Sequence, residues 1–358
     1  MKFYDALQLD PAIIKSHMKN AETKKEKNWF LRALILRDIL VVAFAMIFIS
    51  GLAAIFGREN SNMAVVIFCM LLSIRFVDFG YHVKDSLISL AVVFLVLLTA
   101  PLAMQLVHPL LGFVINLVAL SLLVVLACDY PEMGNGGLFL FGYIFLSSSQ
   151  ISLAAFWNRC AMVVVSYLLC AVIFFVKHRH KNTDISFKQI VHRFDIHNPK
   201  NQWQLQLILG VSLLFLMNEF LHLERFMWVG FSCASMLSTY GVNPKERFAE
   251  RMIGVTLGSV LFCIFYFITP PQLVFVYGPL SGLLLGLSSQ YHYKTLANCF
   301  GALSMAVALY GIHGSAILRI FNNFVGMLFG FVFFYFFQNI LLPFLQKHIP
   351  SKSTTTSN

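Results

Sequence analysis

Few ionisable side chains interrupt the long apolar runs of this sequence, and the ones that do suit anion and proton chemistry. Arg159 and Arg319 stand near the starts of two such runs, beside Asn158 and Asn322/Asn323 respectively. A guanidinium is a planar, permanently charged fork that meets a carboxylate with two parallel hydrogen bonds, so two of them converging would hold an organic anion. The plainer alternative is that each snorkels to a membrane interface. Arg247 and Arg251 follow Lys245 and lie one helical turn apart on a shared face. They either gather anions at a vestibule or anchor a helix by its basic end. Glu219, with Asn218 before it and His222 one turn on, has the makings of a proton relay, because burial moves a carboxyl toward exchange near neutrality. A hydrogen-bonded interfacial Glu accounts for the same residues. Arg75 and Asp78, three apart, are expected to neutralise one another.

Other chemistries find no support. There is no nucleophile elbow, phosphate loop, HExxH or paired-carboxylate motif, so no catalytic residue is named, no cofactor is implied, and an enzyme is not expected. His178, His180, His192 and His197 fit no zinc spacing, and no acidic or Cys residue completes a set, so no metal is expected. The seven cysteines occur singly, as packing residues do. Without a nucleotide-binding motif, a transport step would draw on proton movement rather than ATP.

The elements that must position these residues follow from composition. The chain has 358 residues, 58% of them hydrophobic and 12% charged, far from the roughly 25% charge of soluble domains. Runs of about 20 apolar residues mark spanning helices. Twelve are expected: 38–56, 63–79, 87–105, 109–128, 137–150, 157–176, 205–222, 226–241, 252–269, 272–288, 295–311 and 317–345, with ten or eleven if the shorter ones merge. Under that count only Arg58, Arg159, Arg225 and Arg319 fall on the outer side, while every other Lys and Arg, Arg193 and Lys352 included, falls inside. The positive-inside bias then puts both termini in the cytoplasm. The net charge of +10 reads as membrane orientation, not nucleic-acid binding. The charged N-terminal stretch is too long for a secretory signal, so the first span is expected to be retained. The division is a basic cytoplasmic segment 1–37, a six-helix half 38–177, a cytoplasmic linker 178–204, a second half 205–345 and a tail 346–358. The linker, which begins at the basic run from Lys177 to Gln204, is expected to be solvated and to touch anionic headgroups.

The halves show weak self-similarity: 63–73 parallels 227–238, 108–117 parallels 270–280, and 156–176 parallels 318–337. Six helices per half would make them parallel repeats with a pathway between them. Glycines at fourfold spacing, among them Gly254, Gly258, Gly278, Gly282, Gly286, Gly326 and Gly330, are best explained by close helix packing.

From Phe226 to Leu261 the chain has an aromatic-led helix with Trp228, the turn Asn243-Pro244-Lys245, Arg247 and Arg251, then Gly254-Val255-Thr256-Leu257-Gly258. This run resembles the signature of the fusaric acid resistance and aromatic acid exporter superfamily, although the usual Gly-Thr-x-x-Gly order is altered by Val255. The resemblance implies an inner-membrane transporter exporting small organic or aromatic anions, and its signature includes an Arg where Arg251 stands. Read from the residues themselves, Arg159, Arg247, Arg251, Arg319 and Asn322 are the substrate-binding candidates and Glu219 with His222 the proton relay. The resemblance also implies a membrane-fusion adaptor as a partner. The large cytoplasmic domain of many relatives is not expected in this chain. Homo-oligomers are compatible with such a chain. Two other classes stay open: a non-transporting scaffold of an envelope complex, and a lipid-modifying membrane enzyme.

Overall fold

In the computed structural model, which describes residues 2–9, 11–192 and 194–349, every regular element among the described residues is helical. Arg193 and Lys352, expected on the inner side, lie outside the described residues, as does the expected tail from residue 350. The α-helices are α1 (Phe3–Leu7), α2 (Pro11–Asn20), α3 (Lys24–Phe56), α4 (Ser61–Ile74), α5 (Val83–Ala103), α6 (Pro109–Ala127), α7 (Asn135–Ser147), α8 (Leu153–His178) and α9 (Phe187–His192). They continue as α10 (Pro199–Leu221), α11 (Phe226–Leu237), α12 (Pro244–Ile268), α13 (Tyr277–Leu287), α14 (Tyr291–Phe336) and α15 (Leu342–His348).

Seven of these helices are long and apolar enough to cross a membrane: α3, α5, α6, α8, α10, α12 and α14 with its continuation to His348. That is fewer than the twelve expected, for a reason of length. The apolar segments at 63–79, 137–150, 226–241 and 272–288 do become helical, but α4, α7, α11 and α13 have 14, 13, 12 and 11 residues, or about 21, 20, 18 and 17 Å at 1.5 Å per residue. A hydrocarbon core is about 30 Å thick. In the other direction, the 58 residues from Tyr291 to His348 are interrupted at Gly311, whose φ of 65° and ψ of 177° lie outside the helical region. Glycine tolerates that backbone at no steric cost, and the break falls at the last residue of the expected span 295–311, just before 317–345.

Helix starts follow local chemistry. His108 and Asn198 accept from the backbone N–H of Leu110 and Lys200, with Pro109 and Pro199 at the first helical position, where a missing N–H costs nothing. Ser152 caps α8 by accepting from the Ala155 N–H at 3.2 Å. Large apolar side chains such as Ile47, Ile88, Leu168 and Ile264 are exposed, as befits surfaces whose solvent is lipid.

Contacts divide the chain into two units: the chain up to Ser50 together with Lys245–Asn323, and Gly51–Pro244 together with the chain from Phe324. Two of the three divisions fall within long helices, α3 and α14, and the third falls at the start of α12. Each unit thus draws on both expected halves, and the linker lies wholly in the second.

In the first unit, Ile14 of α2 is buried with Phe30 and Leu34 of α3, and Trp29 and Leu287 pack on them. In the second, α10 packs on α6 and α11, and α5 on α6 and α8. At one end of that unit the linker, many of whose residues are exposed as expected, is also tied to the neighbouring helix ends. The His82 N–H donates to the Ile185 carbonyl at 2.7 Å, the Phe187 N–H to Asp85 Oδ2 at 3.0 Å, and Lys200 pairs with Asp129. Asp78 accepts from Asn182 at 2.9 Å and Lys181 at 3.3 Å. The expected partner of Asp78, Arg75, instead stands over the Phe76 ring, 4.9 Å from its centroid.

Candidate functional site

Arg247, Arg251, Gly254 and Gly258 recur every three or four residues along α12, so they form one stripe. The two glycines bring α14 against this stripe. A Cβ on Gly254 would lie 2.5 Å from the His292 carbonyl oxygen, and one on Gly258 would lie 2.7 Å from that of Leu296. With the helices so close, the two arginines at the start of the stripe reach the start of α14. Arg251 Nη1 donates to the Tyr291 hydroxyl at 2.6 Å, and the Arg247 guanidinium sits 3.0 Å above the centre of the same ring.

Beyond Gly311 the chain returns and presents Arg319, Asn322 and Asn323, each at most 2% exposed. Asn323 Oδ1 accepts from Arg251 Nε at 3.0 Å, while its amide nitrogen donates to the Arg319 carbonyl at 2.8 Å. Arg319 is thereby linked to Arg251 through Asn323, and the two like charges repel one another. Three guanidiniums therefore gather in the first unit. The carboxylate that acts on Arg247 is Glu250, which also faces His292 at 3.9 Å. Arg251, 7% exposed, has two hydrogen-bond partners among the described residues, both neutral.

Of the residues expected to bind an anion, Arg247, Arg251, Arg319 and Asn322 belong to this one unit. Arg159 belongs to the other. It is 1% exposed, so it does not snorkel, and its Nε donates to Asn60 Oδ1 at 2.8 Å. Asn60 in turn donates to the Phe56 and Ala155 carbonyls, both at 2.9 Å, which ties the start of α8 to the start of α4. Beside it the Glu59 carboxylate accepts from the Ser152 N–H and hydroxyl, at 3.1 and 3.0 Å. Those two donors hold the Glu59 carboxyl below its ordinary pKa.

Glu219 and His222 sit at the C-terminal end of α10. Glu219 is half-buried, and His222 is exposed and closes the helix in a left-handed conformation with its N–H on the Asn218 carbonyl. Tyr291 escaped the sequence reading. The signal for it was an aromatic residue directly after the polar turn Ser288-Ser289-Gln290, on the side expected for Arg247.

Residues 209–333 match the family model described as fusaric acid resistance protein-like. The match covers Arg247, Arg251, Tyr291, Arg319, Asn322 and Asn323, and it extends the resemblance drawn from 226–261. No curated protein and no solved structure matches the chain.

Proposed function

We propose that this chain, through the fusaric acid resistance protein-like segment 209–333, exports small organic or aromatic carboxylates across the cytoplasmic membrane, coupled to proton movement. The observation that carries the proposal is Arg251, a buried guanidinium hydrogen-bonded only to neutral groups among the described residues and gathered with Arg247 and Arg319. Buried charge without a counter-charge is costly, so an entering carboxylate would be stabilised there. The Tyr291 ring under Arg247 supplies an apolar face beside the cations, which favours aromatic acids. Asn322, buried on the same turn as Asn323, is assigned to orienting the anion, and Glu219 with His222 is assigned to proton exchange at the end of α10. The substrate enters from the cytoplasm, where both termini lie, and a membrane-fusion adaptor would carry it onward.

The test is efflux from cells preloaded with labelled aromatic and aliphatic carboxylates, at matched membrane abundance. Faster exit of one acid with the intact protein, abolished by Arg251→Ala, supports the proposal. Arg159→Ala in the same assay shows whether that residue contributes to transport beyond tying α8 to α4. If no acid in the panel moves differently, a scaffold subunit becomes the better account.

A further inference from the structure

Asp38 opens the apolar part of α3 and is 2% exposed. Its Oδ1 accepts from Arg37 Nη1 at 2.9 Å, while Oδ2 is buried with no hydrogen-bond partner among the described residues. Gly286 of α13 approaches so closely that a Cβ there would lie 2.7 Å from both the carboxyl carbon and Oδ1. The charges facing Asp38 are Arg37 from its own helix and Lys15 from α2. From α13 the contact is the Gly286 backbone. His17, the other titratable side chain that α2 turns toward α3, stacks on Phe30 with ring centres 5.1 Å apart, about two turns from Asp38. Lys15 Nζ also donates to Ser289 Oγ at 3.3 Å, two residues before Tyr291.

We infer that Asp38 is a proton-binding site linked to the anion site through Lys15 and the turn that leads from Ser289 into Tyr291. Burial of Oδ2 without a donor disfavours the carboxylate, whereas Arg37 and Lys15 favour it, so the two forms oppose each other within one small site. A proton adds to Oδ2, the carboxyl becomes neutral, and no other bond is made or broken. Lys15 then loses its attraction to α3, and its hold on Ser289 changes at the base of Tyr291, which Arg251 and Arg247 contact. By linkage, an anion bound at those arginines must shift the proton affinity of Asp38 by the same factor. The linkage rests on the proton-coupled export proposed above; proton binding itself does not.

The experiment uses the full-length protein in liposomes with labelled benzoate. With Asp38→Asn, benzoate movement driven by an imposed pH gradient should fall roughly tenfold, within the span usual for linked sites, while benzoate counterflow without a gradient persists and shows that the variant is folded. Unchanged gradient-driven movement overturns the inference. Infrared difference spectra on a pH jump give a readout that needs no transport: conversion of one carboxylate to carboxyl should appear in the wild type and vanish in Asp38→Asn. If the signal persists in the variant, Asp38 is not the site. If it behaves as expected but benzoate is never moved, the anion proposal falls and the proton site stands. Lys15→Ala removes a facing cation and should move the midpoint of the infrared signal to higher pH; an unmoved midpoint overturns the link through Lys15.

Discussion

Arg251 makes two hydrogen bonds with different nitrogens of one rigid fork, to Asn323 and Tyr291. A lysine supplies the charge but not the fork. Arg251→Lys should therefore retain part of the efflux that Arg251→Ala abolishes, with the alanine variant slower by about tenfold or more, as expected when a buried charge-assisted contact of ~1.5–3 kcal/mol is lost. Tyr291 separates two roles. Tyr291→Phe removes the hydroxyl and keeps the ring under Arg247, so it should impair efflux less than Tyr291→Leu, which removes both; equal impairment would show that the ring contributes nothing. Glu59 gives a prediction in pH. Its carboxyl is held below the ordinary value of about 4.3 by the donors of Ser152. A depressed pKa contributes stability above the unfolded value and loses it as pH falls through the folded one. The difference in thermal unfolding between wild type and Glu59→Gln should be present at neutral pH and shrink as the medium is acidified below that value.

At the scale of elements, the α12–α14 contact depends on the absence of side chains at two positions. Gly254→Ala places a methyl 2.5 Å from the His292 carbonyl and 2.9 Å from Thr295 Cβ. Overpacking of that kind costs about 1–3 kcal/mol, so the melting temperature in detergent should fall and the Arg–Tyr cluster should lose efflux along with it. Gly278→Ala, where nothing lies within 4 Å, should change neither. The linker gives a second test at this scale. Asp78 holds Lys181, Asn182 and the Gly80 N–H, so Asp78→Ala should release the linker and speed tryptic cleavage at Lys181 and Lys188. Its basic composition alone reads as a solvated loop, because charge reports affinity for water and is silent about acidic partners about 70 to 100 residues away, such as Asp129 and Asp78.

At the largest scale, loops far apart in the chain meet within the second unit. The turns around Asp78, Asp85 and Asp129 meet the linker, whereas Glu59 meets Ser152 at the other end of the same unit. A reporter fused after Lys188 should be active only on the cytoplasmic side; periplasmic activity there would overturn the proposed orientation. The membrane class and the helical course of each apolar run were legible in the sequence, because each is a sum of local hydropathy over a window of about 20 residues. Windows of that length run across turns, so they gave α4, α7 and α11 more length than their helices have. The resemblance to an exporter family was likewise legible in a continuous run, 226–261. Tertiary structure alone decided which side chains meet. Arg251 reaches Tyr291 across 40 residues and Asn323 across 72, Arg159 reaches Asn60 across 99, and Asp38 lies against Gly286. Such meetings are set by which helix faces pack together, and that depends on the shapes of surfaces far apart in the chain.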